Sequence, residues 1–487
     1  MARARKGDVM DNQLSKIKHI VVVMLENRSF DQMLGFLYAD KNGPRDQPFE
    51  GLTGGESNPD DAGHAVPVFK ITHDSPHPYL MPGADPGEGF HNTNLQLFGD
   101  FDVPEGSKAT NQGFVVNFKA AIAYDQSKGF KDSLPDTRPS DVMGMYTPEM
   151  LPIMSALAKG FAVCDHWFAS APTQTIPNRA FAAAGTSQGH LDNHVKLFTC
   201  PSVFGKLSDS NRDWAIFGYN SDPLTRLDFP DTQSAPNEHF GHFRDFQKRA
   251  RAGTLPEYSF LEPDWLPDGN SQHPNYDVAA GEKLLHDIYY ALRSHKKAWE
   301  DTLLVITYDE HGGNYDHVAP PTDATPPDNS VGEFDFDFKR FGVRVPAILV
   351  SPRVAAGTVF RAKQGTIDHT SLIKTVCARW DIQPFTERIK AAPDLGDALT
   401  LEKPRQDDPL DGVKIPVSKQ SHPAKSKPSK LALLQAQKLS QLPIRNHQGT
   451  YDHEPPDLSS SAALTAYIQG RSAAWSQQVA LSQRAKK

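Results

Sequence analysis

Two polar bursts in this chain stand where an α/β protein does chemistry. Glu26 and Asn27 follow the apolar run Ile17–Leu25 directly, and Asp309, Glu310 and His311 follow a second run, Thr302–Tyr308. Continuous apolar runs of this kind read as strands buried on both faces of a parallel sheet. Ligand sites in such sheets form beyond the carboxyl ends of the strands. Two clusters of hard oxygen donors on one sheet edge would suit a divalent metal ion, with Mg, Ca, Mn and Zn all compatible. Polar residues at strand ends also serve as helix caps or solvated loop, so one cluster alone decides nothing.

A third segment, Ala171-Pro172-Thr173-Gln174-Thr175-Ile176-Pro177-Asn178-Arg179, sets hydroxyls just ahead of a helix. Pro177 opens that helix, alanines fill it and Gly185 ends it, the usual asymmetry of helix termini. Free N–H groups and the helix dipole favour an anion there. A hydroxyl so placed can attack phosphorus, more readily with a metal bound to it. The plain alternative is a threonine cap. The chain also holds 19 histidines, of which His91, His273, His317 and His369 stand out by their polar or turn-rich settings. Such rings bind phosphate oxygens, ligate metals or protonate leaving groups.

The elements that must position these residues alternate. Strands are expected at Ile17–Leu25, Phe161–Cys164, Trp214–Tyr219, Thr302–Tyr308 and Val343–Val350. Helices are expected at Pro148–Lys159, Pro177–Gly185, Gly281–Lys296 and Ser371–Trp380. That alternation argues for an α/β fold with a mostly parallel sheet flanked by helices. Residues 40–110, rich in Gly, Pro and Asp, read as long loops or an insertion. From Pro404 the character changes. Residues 1–403 are expected to form the catalytic domain, 404–430 a Lys/Pro/Ser-rich linker, and 431–487 a helical appendage.

Composition narrows the classes. The chain has 487 residues, 38% of them hydrophobic, enough for a large buried core. Its net charge of -8 gives no electrostatic reason to expect nucleic acid. Cys164, Cys200 and Cys377 are far apart and show no CxxC spacing, which argues against a disulfide framework or a structural zinc site. The basic N-terminus lacks a long apolar core and a cleavage site, so a cytoplasmic location is the default expectation. No run approaches the roughly 20 apolar residues of a membrane span.

The motifs, taken in order, resemble a known family. Glu26-Asn27-Arg28-Ser29-Phe30-Asp31 after Val-Val-Val-Met-Leu is similar to the opening signature of the bacterial phospholipase C and acid phosphatase family. The resemblance continues through Met143–Ala171, Thr175-Ile176-Pro177-Asn178-Arg179, Thr307–Gly313 with Tyr315-Asp316-His317-Val318, and Asp368-His369-Thr370-Ser371. It covers residues 17–380 or so and implies an alkaline-phosphatase-like core with loop insertions. It implies a metal-dependent phosphoesterase acting on a phosphate ester, including phospholipids, through a phospho-threonine intermediate. Glu26, Asn27, Asp309 and Glu310 would then hold the metal ion together with Thr175. Thr175 matches the family nucleophile, with Thr173 as runner-up. His91 and His273 match its active-site and phosphate-binding histidines, and His369 would lie near the site.

Three departures bear on this. The loop reads Ala-Pro-Thr-Gln-Thr where the family has Gly-Pro-Thr, so it is expected to bulge. His311 replaces an asparagine common in related lipases and is either an extra ligand or a neutral variation. The C-terminal appendage shows no evident phosphocholine-binding module. A sulfatase-like use of the core would need a modified Cys or Ser as nucleophile, and the loop has no Cys. A non-catalytic lipid- or carbohydrate-binding protein on the same scaffold is the alternative, against which the intact carboxylates count.

Overall fold

A computed structural model describes residues 13–484, apart from 40–42, 45–46, 104–105, 129–132, 424–426, 446–449, 452–454 and 457. The N-terminal basic stretch and the end beyond Arg484 lie outside the described residues. An eight-stranded sheet organises the protein. In chain order its strands are β1 (His19–Leu25), β2 (Ala162–Val163), β3 (Trp214–Gly218), β4 (Phe240–His242), β5 (Tyr258–Leu261), β6 (Thr302–Tyr308), β7 (Ala347–Val350) and β8 (Thr358–Val359). Across the sheet they run β8-β2-β7-β6-β1-β5-β3-β4. Neighbours are parallel except where β7 runs against β6 and β2.

The two long apolar runs become the central strands. Every residue of β6 is buried, as is β1 from Ile20 onward. Neither alternates polar with apolar, because helices flank the sheet and cover its faces. Leu157, Ala180, Leu285 and Ile373, from the helices Pro152–Gly160, Thr175–Ala184, Val278–Arg293 and Thr370–Trp380, share one core with Val22 and Leu304. This is the mostly parallel, helix-flanked sheet expected from the sequence.

The segment read as long loops needs correction. It contains the helix Phe90–Phe98 and a small antiparallel pair, Ser57–Pro59 with Ala65–Pro67. The helix, FHNTNLQLF, has no side-chain cap and two asparagines, so its local signal is weak. Packing makes it: Leu97 is buried against Phe114 and Phe118 of the following helix, Phe114–Lys128.

Near the C-terminus, helices form at Lys430–Gln441 and Ser461–Arg484. Leu431 and Leu434 enter the main core, while Ala436 and Leu439 pack with Leu464, Ile468 and Leu227. Among the described residues, no helix is long and apolar enough to cross a membrane.

Candidate active site

The parallel register pairs Leu25 with Tyr308, so Glu26 and Asp309 leave the sheet side by side. Asn27 then takes a left-handed backbone, φ 59°, which asparagine tolerates better than most residues. Its N–H donates to Asp309 Oδ1 at 2.9 Å. Gly312 lies against this turn at φ 62°, where a Cβ would fall 2.1 Å from the Asn27 carbonyl oxygen. Only glycine fits there. Asn314 Nδ2 donates to the Asn27 carbonyl at 3.1 Å and to that of His311 at 3.0 Å, joining the two strand-end turns.

The hydroxyl loop is held by Asn178. Its Oδ1 accepts from Ala171 N–H at 3.0 Å, and its Nδ2 donates to the carbonyls of Ala171, Thr173 and Gln174. Thr175 becomes the first residue of the Thr175–Ala184 helix, and its hydroxyl donates to Asn27 Oδ1 at 3.2 Å. Thr173 is engaged elsewhere, donating to the Leu191 carbonyl at 2.5 Å. The hydroxyl facing the strand-end cluster is therefore that of Thr175.

Cations frame the cluster. Arg179, one helical turn from Thr175, donates through Nε to Asp309 Oδ2 at 2.9 Å and through Nη2 to the Met24 and Leu25 carbonyls. Arg28 is fully buried and donates to the carbonyls of Gln272 at 2.6 Å and His273 at 3.0 Å. That arginine seats the loop carrying His273 beside Glu26, whose N–H donates to the Ser271 carbonyl at 3.0 Å. On the far side Glu88 accepts from Asn27 Nδ2 at 2.5 Å and from Gln174 Nε2 at 3.3 Å. Lys430, from the C-terminal region, donates to Asp85 Oδ2 at 2.5 Å.

Negative charge is in surplus. Burial pushes Glu26 up to about 7, opposed by His273 and reinforced by Asp309. Burial likewise pushes Glu88 up to about 7, opposed by Lys430 and reinforced by Asp85 and Asp309. Glu310 is pushed well above the carboxylate range by burial, then by Glu88 and Asp309. Glu26 Oε2 and Glu310 Oε1 are buried oxygens with no hydrogen-bond partner among the described residues. Buried carboxylates with open oxygens are what a hard divalent cation would satisfy. Glu26, Asn27, Asp309, Glu310 and the Thr175 hydroxyl supply hard donors of that kind, while the nearby group whose ligand atoms lie within 4.8 Å of one another, among the described residues, is Asp85, Glu88 and His273.

The other expected residues fall in different places. His273 is nearly buried, with Nε2 3.7 Å from Asp85 Oδ1. His91 sits in the first turn of Phe90–Phe98, its ring against Phe334 and its Nδ1 3.4 Å from the Phe101 carbonyl. His311 is buried, with Nε2 2.7 Å from Gln96 Oε1, and burial pushes it down to about 3, so it stays neutral. His369 Nδ1 accepts from the Trp167 indole at 3.2 Å, so Nε2 carries the proton and donates to the Asp309 carbonyl at 2.6 Å. It thus holds the Asp309 backbone. His317 pairs with Asp31 at 2.6 Å, and Arg344 bridges Asp31 and Asp316 at 2.9 Å each, so that cluster already has its cation.

Sequence reasoning missed Glu88, Asp85 and Lys430, and left Arg179 without a role. Glu88 stands three residues before His91, and Arg179 ends the hydroxyl motif, so both were within reach. Nothing local marks Lys430.

The chain belongs to the Phosphoesterase family, whose model matches residues 17–383. It is a phosphoric ester hydrolase, so the non-catalytic alternative falls away. It is 33% identical over 440 residues to non-specific phospholipase C5 of Arabidopsis thaliana, covering 84% of this chain and 78% of that one. It is 28% identical over 425 residues to phospholipase C B of Mycobacterium tuberculosis, covering 76% and 74%. Relatives thus extend beyond bacteria. Among solved structures, a phosphonate monoester hydrolase of Agrobacterium radiobacter overlaps at TM-score 0.30 and 15% identity, covering 51% of this chain and 72% of that one.

Proposed function

We propose that this protein is a metal-dependent phospholipase C, cleaving the phosphodiester of a phospholipid headgroup through a phospho-threonine on Thr175. The observation that carries the reading is the Thr175 hydroxyl 3.2 Å from Asn27 Oδ1, at a helix N-terminus and beside carboxylates with open buried oxygens. A divalent cation held by Glu26, Asn27, Asp309 and Glu310 would lower the hydroxyl's pKa and offset charge on the phosphoryl oxygens.

Thr175 Oγ attacks phosphorus in line, the P–O bond to the leaving alcohol breaks with that alcohol taking up a proton, the headgroup phosphate stays esterified to Thr175, and water later cleaves the P–O bond to Thr175. The Thr175 N–H, at the start of the Thr175–Ala184 helix, would donate to a phosphoryl oxygen, while the Ile176 N–H is held by Asn193 Oδ1 and Pro177 has none. His273 stands beside Glu26 and Asp85, close enough to the cluster to orient the phosphoryl group or protonate the leaving oxygen. His91 lies further out, against Phe334, where it would meet the leaving group. Both phospholipase C relatives support a diester substrate; the acid phosphatases of the resemblance favour a monoester.

Nitrophenol release from nitrophenyl phosphorylcholine and from nitrophenyl phosphate, run side by side, separates the two. Faster release from the diester is expected. Faster release from the monoester would make the protein a phosphatase. Acid-quenched turnover of the choline diester should carry one phosphorylcholine mass on the peptide containing Thr175, and of the monoester one phosphoryl mass; absence of either adduct there would sink the covalent step.

A further inference from the structure

Large hydrophobic side chains are seldom left in the open close to one another. In this protein Phe101 is 49% exposed, Leu197 50%, Val331 83% and Phe334 56%. All four stand on segments that are bound together. Phe334 stacks on Phe90 at 5.7 Å and meets the His91 ring at 4.5 Å. Asn94 Nδ2 donates to the Phe101 carbonyl at 2.9 Å, fixing that residue beside the same helix. Glu333 N–H donates to the Gly189 carbonyl at 2.8 Å, and Glu333 Oε2 accepts from Leu191 N–H at 2.7 Å. Lys196, next to Leu197, pairs with Glu333.

These segments also border the catalytic cluster. The Leu191 carbonyl accepts the Thr173 hydroxyl, and Asn193 Oδ1 accepts from Ile176 N–H at 2.8 Å, at the start of the Thr175 helix. The outward set of Phe334 is held against preference. Phe334, Asp335 and Phe338 have φ of 57°, 57° and 56°, a region where an aromatic side chain is strained.

The lysines around the patch are paired. Lys196 is paired with Glu333 and Lys339 with Asp337. The Arg340 guanidinium lies against the rings of Phe98 and Phe336 and donates to Asn94 Oδ1 at 3.1 Å. Both lysines are thus held by carboxylates, and Arg340, though no carboxylate pairs it among the described residues, is turned in against the rings rather than toward an anionic surface.

We infer that Phe101, Leu197, Val331 and Phe334 form an apolar rim that seats the catalytic mouth on a zwitterionic phospholipid surface. The inference rests on the phospholipid reading above and goes beyond it in naming the face that meets the lipid. Rim side chains would enter the headgroup region, bringing Thr175 level with the phosphodiester layer.

The test is cosedimentation of the full chain with sucrose-loaded phosphatidylcholine vesicles, compared with F101S/L197S/V331S. Phe334 is left intact because it touches His91. The wild-type chain should partition onto the vesicles, the variant at least tenfold less, with its melting temperature unchanged. Equal partitioning of the two, or binding only when anionic lipid is added, overturns the proposal. So does a wild-type dimer that the variant dissolves, since a second copy would then cover the rim. Partitioning is read without turnover. A chain that docks through this rim yet cleaves no diester would retire the substrate reading and leave the rim standing.

Discussion

Thr175 and Asn27, 148 residues apart in sequence, meet at 3.2 Å where a helix begins and a strand has just ended. Neither element alone makes a reactive hydroxyl. The helix start supplies its dipole, and the strand end supplies an amide oxygen flanked by carboxylates.

Replacing Thr175 with Ala should therefore reduce initial rates by about 10³-fold or more, with melting temperature and metal content preserved. T173A should keep most of the activity, because its hydroxyl is committed to the Leu191 carbonyl. Loss of activity in T173A with full activity in T175A would reverse the assignment.

Chelation offers a second check. With the ion removed, Glu26 and Glu310 are left with open buried oxygens, so turnover should fall to background and the melting temperature should drop. Adding back Mg, Ca, Mn or Zn in turn, read by rate and by thermal shift, identifies the ion. Unchanged activity after exhaustive dialysis against chelator would remove the metal from the reaction.

The Arg179–Asp309 pair is almost wholly shielded from solvent, with side chains 2% and 0% exposed. R179M leaves Asp309 buried without its cation, which costs about 3–5 kcal/mol in comparable buried pairs. Urea unfolding should show that loss in the apo protein, and saturating divalent ion should recover part of it.

Lys430 is more exposed, at 69%, so its ion pair with Asp85 contributes little to stability. K430M should leave the melting point nearly unchanged. Its effect belongs to the charge balance beside Glu88, so KM for an anionic ester should rise while K430R behaves as wild type. A shift in neither KM nor kcat would show that the contact is incidental.

Glu282 provides a pH signature away from the reaction. Its carboxylate accepts the N–H groups of Ile153 and Met154 at 2.6 and 3.1 Å, and burial pushes it up from 4.5 to about 8. The unfolded chain releases this proton near 4.5, while the folded chain keeps it until about 8. Between those values the folded state binds more protons, so stability falls as pH rises, by at most about 1.4 kcal/mol per unit. Urea midpoints of E282Q relative to wild type should therefore rise from pH 5 to pH 8. A flat difference would mean Glu282 titrates normally.

The parts legible in sequence were those with a strong local signal. β1 and β6 announce themselves as unbroken apolar runs, and the polar residues after them mark the sheet edge. Asn178 and Arg179 sit inside a recognisable motif, although their partners do not. The helix Phe90–Phe98 escaped because its sequence is poor in helix formers and its stability comes from burial of Leu97. Glu88 escaped with it. The Lys430–Asp85 contact spans 345 residues, and no periodicity or spacing encodes a pairing at that range. His369 is expected near the site from the sequence, but only its hydrogen bonds reveal that it grips the Asp309 backbone.

The same long-range contact orders events during synthesis. Asp85 and Glu88 leave the ribosome early, and β6 with Asp309 and Glu310 follows more than two hundred residues later. Lys430 emerges last, after every other residue of the cluster has been translated. A nascent chain halted before that helix would hold the carboxylates without the lysine that offsets them. The electrostatic balance of the mouth is thus a late product of translation, set by the tail after the sheet is built.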